Sequence, residues 1–397
     1  MRRTTAVVTI VVAVGLASAI LAGCAGGGGA AKPSAGGEAA KKPYRIGAVL
    51  SLTGSYSGLG TPEKETLDLE VAAINAAGGV NGHPLEVVVE DDGTDTGKAT
   101  AAVSKLIDQE NAIAVIGATG TGQTMATRVD IDRAGIPELS LAGGNAVTQK
   151  FDKQVFQMPW PNRLVAPFVL KHMKGKGVKS VALFTDASGY GKDGLAVITP
   201  ELAKLGMTAV ANETFNPGDT DMTAQLTKMK AAKPDAILLW AAGKEAATIM
   251  KNRAQLGITT PVYGGSGQAR TEFIQGAGAA ADGFVFGTGK VLLPKSYGDA
   301  PNRKLAEDFA ARYKQKYGAE PNIFTAHAYD AIHIVAEALK RIPGDVTPAA
   351  LRDEIEKTSG FVGLDGTFTF SATDHNGLTE NDLVMYAVQD GKWVLAK

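Results

Sequence analysis

One cysteine, Cys24, stands in 397 residues, so no disulfide can form within the chain and its folded body must hold together without covalent cross-links. Aromatic residues make up 6% against 45% hydrophobic residues overall, so the cores must rest on Ala, Val, Ile and Leu. Neither sign of charge is in excess. Forty Lys and Arg face 41 Asp and Glu, a net charge of -1, which gives no reason to expect nucleic acid or a basic membrane patch. The five histidines are scattered, and His327 and His333 are not spaced as same-face metal ligands. No G-x-S-x-G elbow accompanies Asp374 or His375. No catalytic constellation, metal or cofactor is expected, and the chain does not read as an enzyme.

The apolar run Ala6–Leu21 is too short and too N-terminal for a membrane span. With Arg2 and Arg3 before it, it reads as a signal peptide, residues 1–23. It ends in Leu21-Ala22-Gly23-Cys24, which resembles a bacterial lipoprotein cleavage box, with an ordinary signal peptide as the alternative. Cleavage before Cys24 and acylation of its sulfur would give an exported, lipid-anchored protein. Residues 24–43, rich in Gly, Ala, Lys and Pro, read as a flexible tether. The remaining length suffices for two domains with their own cores.

The most informative stretch is Ala112-Ile-Ala-Val-Ile-Gly-Ala-Thr-Gly-Thr-Gly-Gln-Thr124. A short apolar strand, Ala112–Ile116, leads into a loop of glycines and threonines, and a helical pattern begins at Gln123. Free N–H groups of a first helical turn, the helix dipole and threonine hydroxyls together favour an anion. The stretch reads equally as a cradle for a small carboxylate or as a tight turn with Thr121 as N-cap. Strands alternate with helices before and after it. Arg45–Leu50 and Leu85–Val89 are strands, and a helix starts at Thr61 with Pro62 in its first position. A second small-residue loop, Ser140–Asn145, follows the strand Pro137–Leu139. After Val155–Pro161 the alternation restarts, with a helix at Asp221–Lys230 capped by Asp219 or Thr220. The pattern predicts an α/β fold of two doubly wound lobes. Clefts between such lobes are preferred ligand sites and close by hinge motion.

Several segments together resemble the type I periplasmic binding proteins, in the branched-chain amino-acid (Leu/Ile/Val) group of ABC-importer receptors. They are Ile46–Gly54, Ala73–Gly82, Asp91-Asp92, Val115–Thr124, Tyr190-Gly191, Phe215–Asp221, Asp235–Trp240, Phe361–Phe368 and Asp374–Gly377. The resemblance implies a Venus-flytrap fold joined by a multi-strand hinge. Its N-terminal lobe would take residues 44–160 and 291–362, and its C-terminal lobe residues 161–290 and 363–397. It implies that Gly120, Thr121 and Gly122, with Thr119 alongside, hold a ligand carboxylate. Backbone groups of Ala142, Gly143 and Gly144, with Asn145 adjacent, would meet the ligand head. Tyr190 would close over the ligand from the second lobe, and Leu59, with Tyr56 near, would line the first. Trp160 and Asp186 are further candidates. Trp160 belongs either in the cleft or in the core beneath the crossover, and Trp240 is equally undecided.

One departure bears on the ligand. Receptors for amino acids in this group place an acid on a second-lobe loop to pair the ammonium. The matching position here is near Ser266, in Gly264-Gly-Ser-Gly-Gln268, where no acid stands. A buried unpaired ammonium is costly, which raises a second ligand class, aromatic or aliphatic acids without an α-amino group. Gly189-Tyr-Gly-Lys-Asp-Gly194 matches G-x-G-x-x-G, but four residues separate it from its strand, so no dinucleotide is expected. The expected partners are a small carboxylate and ABC permease subunits, the receptor itself being a monomer. A sensing module that signals to a membrane partner without transport is the alternative.

Overall fold

The computed structural model describes residues 41–397, so the expected signal peptide and the expected acylation of Cys24 lie outside the described residues. The first lobe is built in the order β1 (Tyr44–Leu50), α1 (Ser57–Ala76), β2 (Leu85–Asp91), α2 (Thr96–Asp108), β3 (Val115–Gly117), α3 (Thr121–Ala134), β4 (Glu138–Ser140), α4 (Ala146–Gln149) and β5 (Val155–Gln157). Its sheet is wholly parallel, in the order β2-β1-β3-β4-β5. Such strands are covered on both faces and read as continuous apolar runs. Ile46, Ala48, Val49 and Leu50 of β1 are accordingly all buried.

The second lobe follows with α5 (Asn162–Gly175), β6 (Ser180–Asp186), α6 (Gly189–Lys204), β7 (Thr208–Phe215), α7 (Thr223–Ala231), β8 (Ala236–Trp240), α8 (Glu245–Gln255), β9 (Val262–Gly264), α9 (Thr271–Ala277) and β10 (Val285–Gly289). The chain then adds α10 (Pro301–Tyr317), α11 (Ile323–Lys340) and α12 (Pro348–Glu356), with α11 against α1, and the short pair β11 (Phe361–Val362) and β12 (Thr367–Phe368). Finally β13 (Leu383–Gln389) and β14 (Lys392–Leu395) extend the second sheet, whose order is β14-β13-β10-β9-β8-β6-β7. Asp390 and Gly391 between them both have positive φ, the two-residue hairpin turn that Asp-Gly favours.

In each sheet the strand order reverses at one strand, β1 in the first and β6 in the second. Crevices at such switch points, beyond the carboxyl ends of the strands, are where open α/β sheets bind ligands. The lobes are joined where residues after β5 run beside residues after β12. Gln157 N–H donates to His375 O (2.8 Å), and the Asn376 amide donates to the carbonyls of Gln157 (3.0 Å) and Pro159 (2.9 Å).

Several element starts differ from the sequence expectation: β3 begins at Val115 rather than Ala112, β1 and β4 shift by one residue, and three helices start elsewhere. Helix α1 begins at Ser57, a turn before Thr61, because Leu59 and Gly60 already donate to Tyr56 O, and Pro62 falls inside the helix. Gly60 permits this start, since a Cβ there would lie 2.3 Å from Ser51 O. Helix α3 begins at Thr121 with Gly120 as its N-cap, so Thr121 is not the cap. Helix α7 begins at Thr223. Asp219 instead accepts from Asn216 N–H (2.8 Å), and Asp221 accepts from Thr223 N–H (2.9 Å), so neither Asp219 nor Thr220 caps it.

Candidate functional site

A cleft with about 450 Å³ of empty space, the open solvent at its mouth included, lies between the carboxyl ends of the two sheets. From the first lobe it is lined by Tyr56, Leu59, Thr119, Gly120, Thr121, Leu141 and Gly143, and from the second by Tyr190, Ala242, Ser266 and Gly267. Pro159 and Trp160 of the crossover line it too, with Ile323, Phe324 and His327 of α11. The walls are mostly apolar with a few placed polar groups, as small-molecule sites generally are.

Local sequence sets each wall. Gly117 ends β3 with φ at +116°, and a Cβ there would lie 2.2 Å from Val49 O, so the strand can turn into the Thr119–Thr121 loop only with glycine. Thr121 is the first residue of α3 and lines the cavity, so the dipole of α3 favours an anion beside it. The Thr121 hydroxyl accepts from Gly144 N–H (3.1 Å), which leaves its own O–H to donate. Thr119 lines the cavity as well, but its hydroxyl is used behind the loop. It accepts from Ser51 N–H (3.0 Å) and donates to Glu63, whose carboxyl burial holds well above the usual range. Of the two threonine donors expected, one is therefore committed to the protein.

The α11 wall depends on a capping box. Asn322 Oδ1 accepts from Phe324 N–H (2.9 Å) and Thr325 N–H (3.2 Å), and Thr325 Oγ1 accepts from Asn322 N–H (3.2 Å). That register turns Ile323, Phe324 and His327, one helical turn, onto the cavity. Tyr190 lies over Gly143, whose added Cβ would sit 3.4 Å from its ring, and stacks on Trp240 at 6.2 Å. Trp240 itself is wholly buried beneath the wall and donates to Asn162 Oδ1 (3.0 Å). Trp160 is in the cavity wall, and its buried Nε1 has no hydrogen-bond partner among the described residues.

Nine of the expected site residues thus come together: Tyr56, Leu59, Thr119, Gly120, Thr121, Gly143, Trp160, Tyr190 and Ser266. Five do not line the cavity. Gly122 meets the second lobe, where a Cβ on Gly189 would lie 2.7 Å from Gly122 N. Ala142 is buried, its N–H donating to Ser140 Oγ (3.2 Å) and its carbonyl accepting from Gln157 (2.8 Å). Gly144 makes room for Thr121, 2.2 Å from where its Cβ would stand. Asn145 donates its N–H to Asp193 of α6 (2.6 Å), a contact between lobes. Asp186 is buried, bound to Ser188 and to Ala242 N–H (3.2 Å), and burial pushes its carboxyl up.

Sequence reasoning missed Leu141, Pro159, Ala242, Gly267 and the three α11 residues, and it missed two buried charges near the cavity. Arg270 donates to the carbonyls of Gly267 and Gly243, and burial lowers it to about 10. Glu245 accepts from Ser55 Oγ across the lobes and from Gly218 N–H (2.7 Å). Among the described residues no Asp or Glu lines the cavity, and no group of three or more His, Cys, Asp and Glu could hold a metal ion.

Two α/β lobes with a cavity enclosed between their switch points define a bilobal small-molecule receptor. The sequence match agrees: residues 43–392 fit the family described as "Periplasmic binding protein", and the chain belongs to that family, in its type I, branched-chain amino-acid group. A Leu/Ile/Val-binding protein homolog from Brucella melitensis is 26% identical over 90% of this chain and 94% of its own length. The branched-chain amino acid transporter substrate-binding protein of Streptococcus pneumoniae, solved with isoleucine, is 32% identical, covers 88% of this chain and 97% of its own, and has a TM-score of 0.79. An extracellular ligand-binding receptor from Rhodopseudomonas palustris HaA2 is 26% identical, covers 89% and 99%, and has a TM-score of 0.84.

Proposed function

We propose that this chain is an extracytoplasmic solute-binding lipoprotein of an ABC importer. It takes a small carboxylate into the cleft and delivers it to a membrane permease. The observation that carries this reading is Thr121, which opens α3 at the cavity wall with its hydroxyl hydrogen uncommitted. A carboxylate placed there gains a charge-assisted hydrogen bond and the field of the helix N-terminus. The ligand bridges both lobes, with Tyr190 closing over it from the second, so binding favours the closed form.

The proposed ligand is an aromatic or aliphatic acid without an α-amino group. Ser266 lies in the cavity wall where an ammonium partner would be needed, and no carboxylate lines the wall among the described residues. An ammonium there would have no carboxylate among the lining residues to pair with, and a buried charge without a partner is costly. A thermal-shift screen of amino acids against aromatic and aliphatic acids tests this reading. Stabilisation by acids lacking the amino group supports it; stabilisation by leucine or valine alone contradicts it.

A further inference from the structure

His327 and Asp365 form a buried pair at the cavity that no expected role uses. Nδ1 of His327 and Oδ2 of Asp365 are 2.6 Å apart, and the two residues are 2% and 1% exposed. Among the described residues this is the only hydrogen bond of the ring, and the ring lines the cavity with the Trp160 ring 6.0 Å away. Asp330 is buried beside the pair and accepts from Leu364 N–H (2.7 Å) and Asp365 N–H (2.8 Å). The other ionisable groups around Asp365 are Asp382 and Tyr297, and no Lys or Arg pairs with Asp365 or Asp330 among the described residues.

A net negative pair next to a second buried carboxyl group is unfavourable, so the pair keeps one proton beyond that of neutral imidazole. Burial lowers His327 to about 3 and pushes Asp365 well up, both in the direction of a neutral pair. A proton on Oδ1 of Asp365 would find no acceptor, since that atom has no partner. The proton therefore lies on the line between Oδ2 and Nδ1. Whichever of those atoms holds it, Nε2 carries the other hydrogen.

We propose that His327, positioned by Asp365, offers Nε2–H to the cavity as a hydrogen-bond donor, and that the receptor selects carboxylates with a second oxygen acceptor on the tail. Trp160 borders the same wall through its ring, while its Nε1–H is buried away from the cavity, which leaves His327 as the donor on that side among the described residues. This wall comes from α11 and the crossover, whereas Thr121 is on α3, so carboxylate and tail oxygen are read by different elements. The proposal rests on the carboxylate reading given above.

Calorimetry with isosteric acid pairs tests it: levulinate against isocaproate, and p-acetylbenzoate against p-isopropylbenzoate. In each pair a carbonyl oxygen replaces a methyl group. The wild type is expected to bind at least one keto acid about five- to tenfold tighter than its isostere, the worth of one net hydrogen bond. His327→Leu should abolish that ratio, and His327→Gln, with an amide donor, should retain most of it. An unchanged ratio in His327→Leu, or tighter binding of the alkyl acid in both pairs, overturns the proposal alone. If neither leucine nor any of the four acids binds the wild type, the carboxylate reading falls and takes the proposal with it. Nitrogen-15 spectra of the imidazoles, with His327→Gln for assignment, give a ligand-free readout. Hydrogen on Nε2 at neutral pH is expected; a bare Nε2 overturns the proposal.

Discussion

Asp193 on α6 accepts a hydrogen bond from the backbone N–H of Asn145 (2.6 Å), joining the second lobe to the loop after β4 of the first. The same carboxylate accepts from Ala146 N–H (2.8 Å) and from the Asn162 side chain (2.6 Å). Two of its three donors exist only when the lobes meet, so Asp193 stabilises the closed form. Asp193→Ala is expected to weaken ligand binding about tenfold, mainly through faster release, because charged hydrogen bonds are worth about 1.5–3 kcal/mol. Stopped-flow kinetics separates release from association, and small-angle scattering should show the ligand-free variant more open.

Thr121→Ala removes the uncommitted hydroxyl and leaves Gly144 N–H without its acceptor. Affinity for a bound carboxylate should fall by roughly 1.5–3 kcal/mol, about tenfold or more. Thr119→Val, by contrast, removes a hydroxyl turned toward Ser51 and Glu63, so its larger effect should be on stability. Calorimetry and thermal melts on the two variants check the contrast.

Glu138 on β4 is buried, and its carboxyl group accepts from Thr127 Oγ1 (3.1 Å). Burial raises it from 4.5 to about 8. The folded state therefore binds a proton that the unfolded state has already released, and stability from this group is full below about pH 4.5 and lost as pH rises through about 8. Glu138→Gln should flatten that loss. Its melting temperature relative to wild type should rise between pH 5 and pH 8, by an amount on the order of 1–3 kcal/mol in stability.

The two-lobed α/β architecture was legible because buried parallel strands are short apolar runs and the helices between them are long enough to cross over. That the Gly/Thr loop after β3 lies at the cavity was legible for a local reason, since a strand, such a loop and a helix start in succession mark a turn at the carboxyl end of a sheet. His327 was not, because its partner Asp365 lies 38 residues away and nothing in the spacing of histidines announces such a pair. Asp193 and Glu245 escaped similarly: their partners Asn145 and Ser55 are on the other lobe. Gly122 and Asn145 sit in the expected loops but serve the contact between lobes, a distinction of a few ångströms that sequence position does not carry.

Cys24 tests the anchor. Cys24→Ser should block lipid attachment, moving the protein from the membrane fraction to the soluble fraction or leaving it unprocessed. Cell fractionation with mass spectrometry of the mature N-terminus reads the result, and unchanged membrane association with normal processing would contradict the lipoprotein reading.

The central claim is that the cavity holds a carboxylate and offers an α-ammonium no carboxylate among its lining residues. Competition calorimetry on the purified receptor tests it most directly, with leucine and valine titrated against p-isopropylbenzoate, isocaproate and their keto counterparts, p-acetylbenzoate and levulinate. The account predicts that at least one acid without an amino group binds as tightly as leucine or tighter, and that this affinity falls about tenfold or more in Thr121→Ala. Tight binding of leucine or valine with no heat from any of the acids would contradict it.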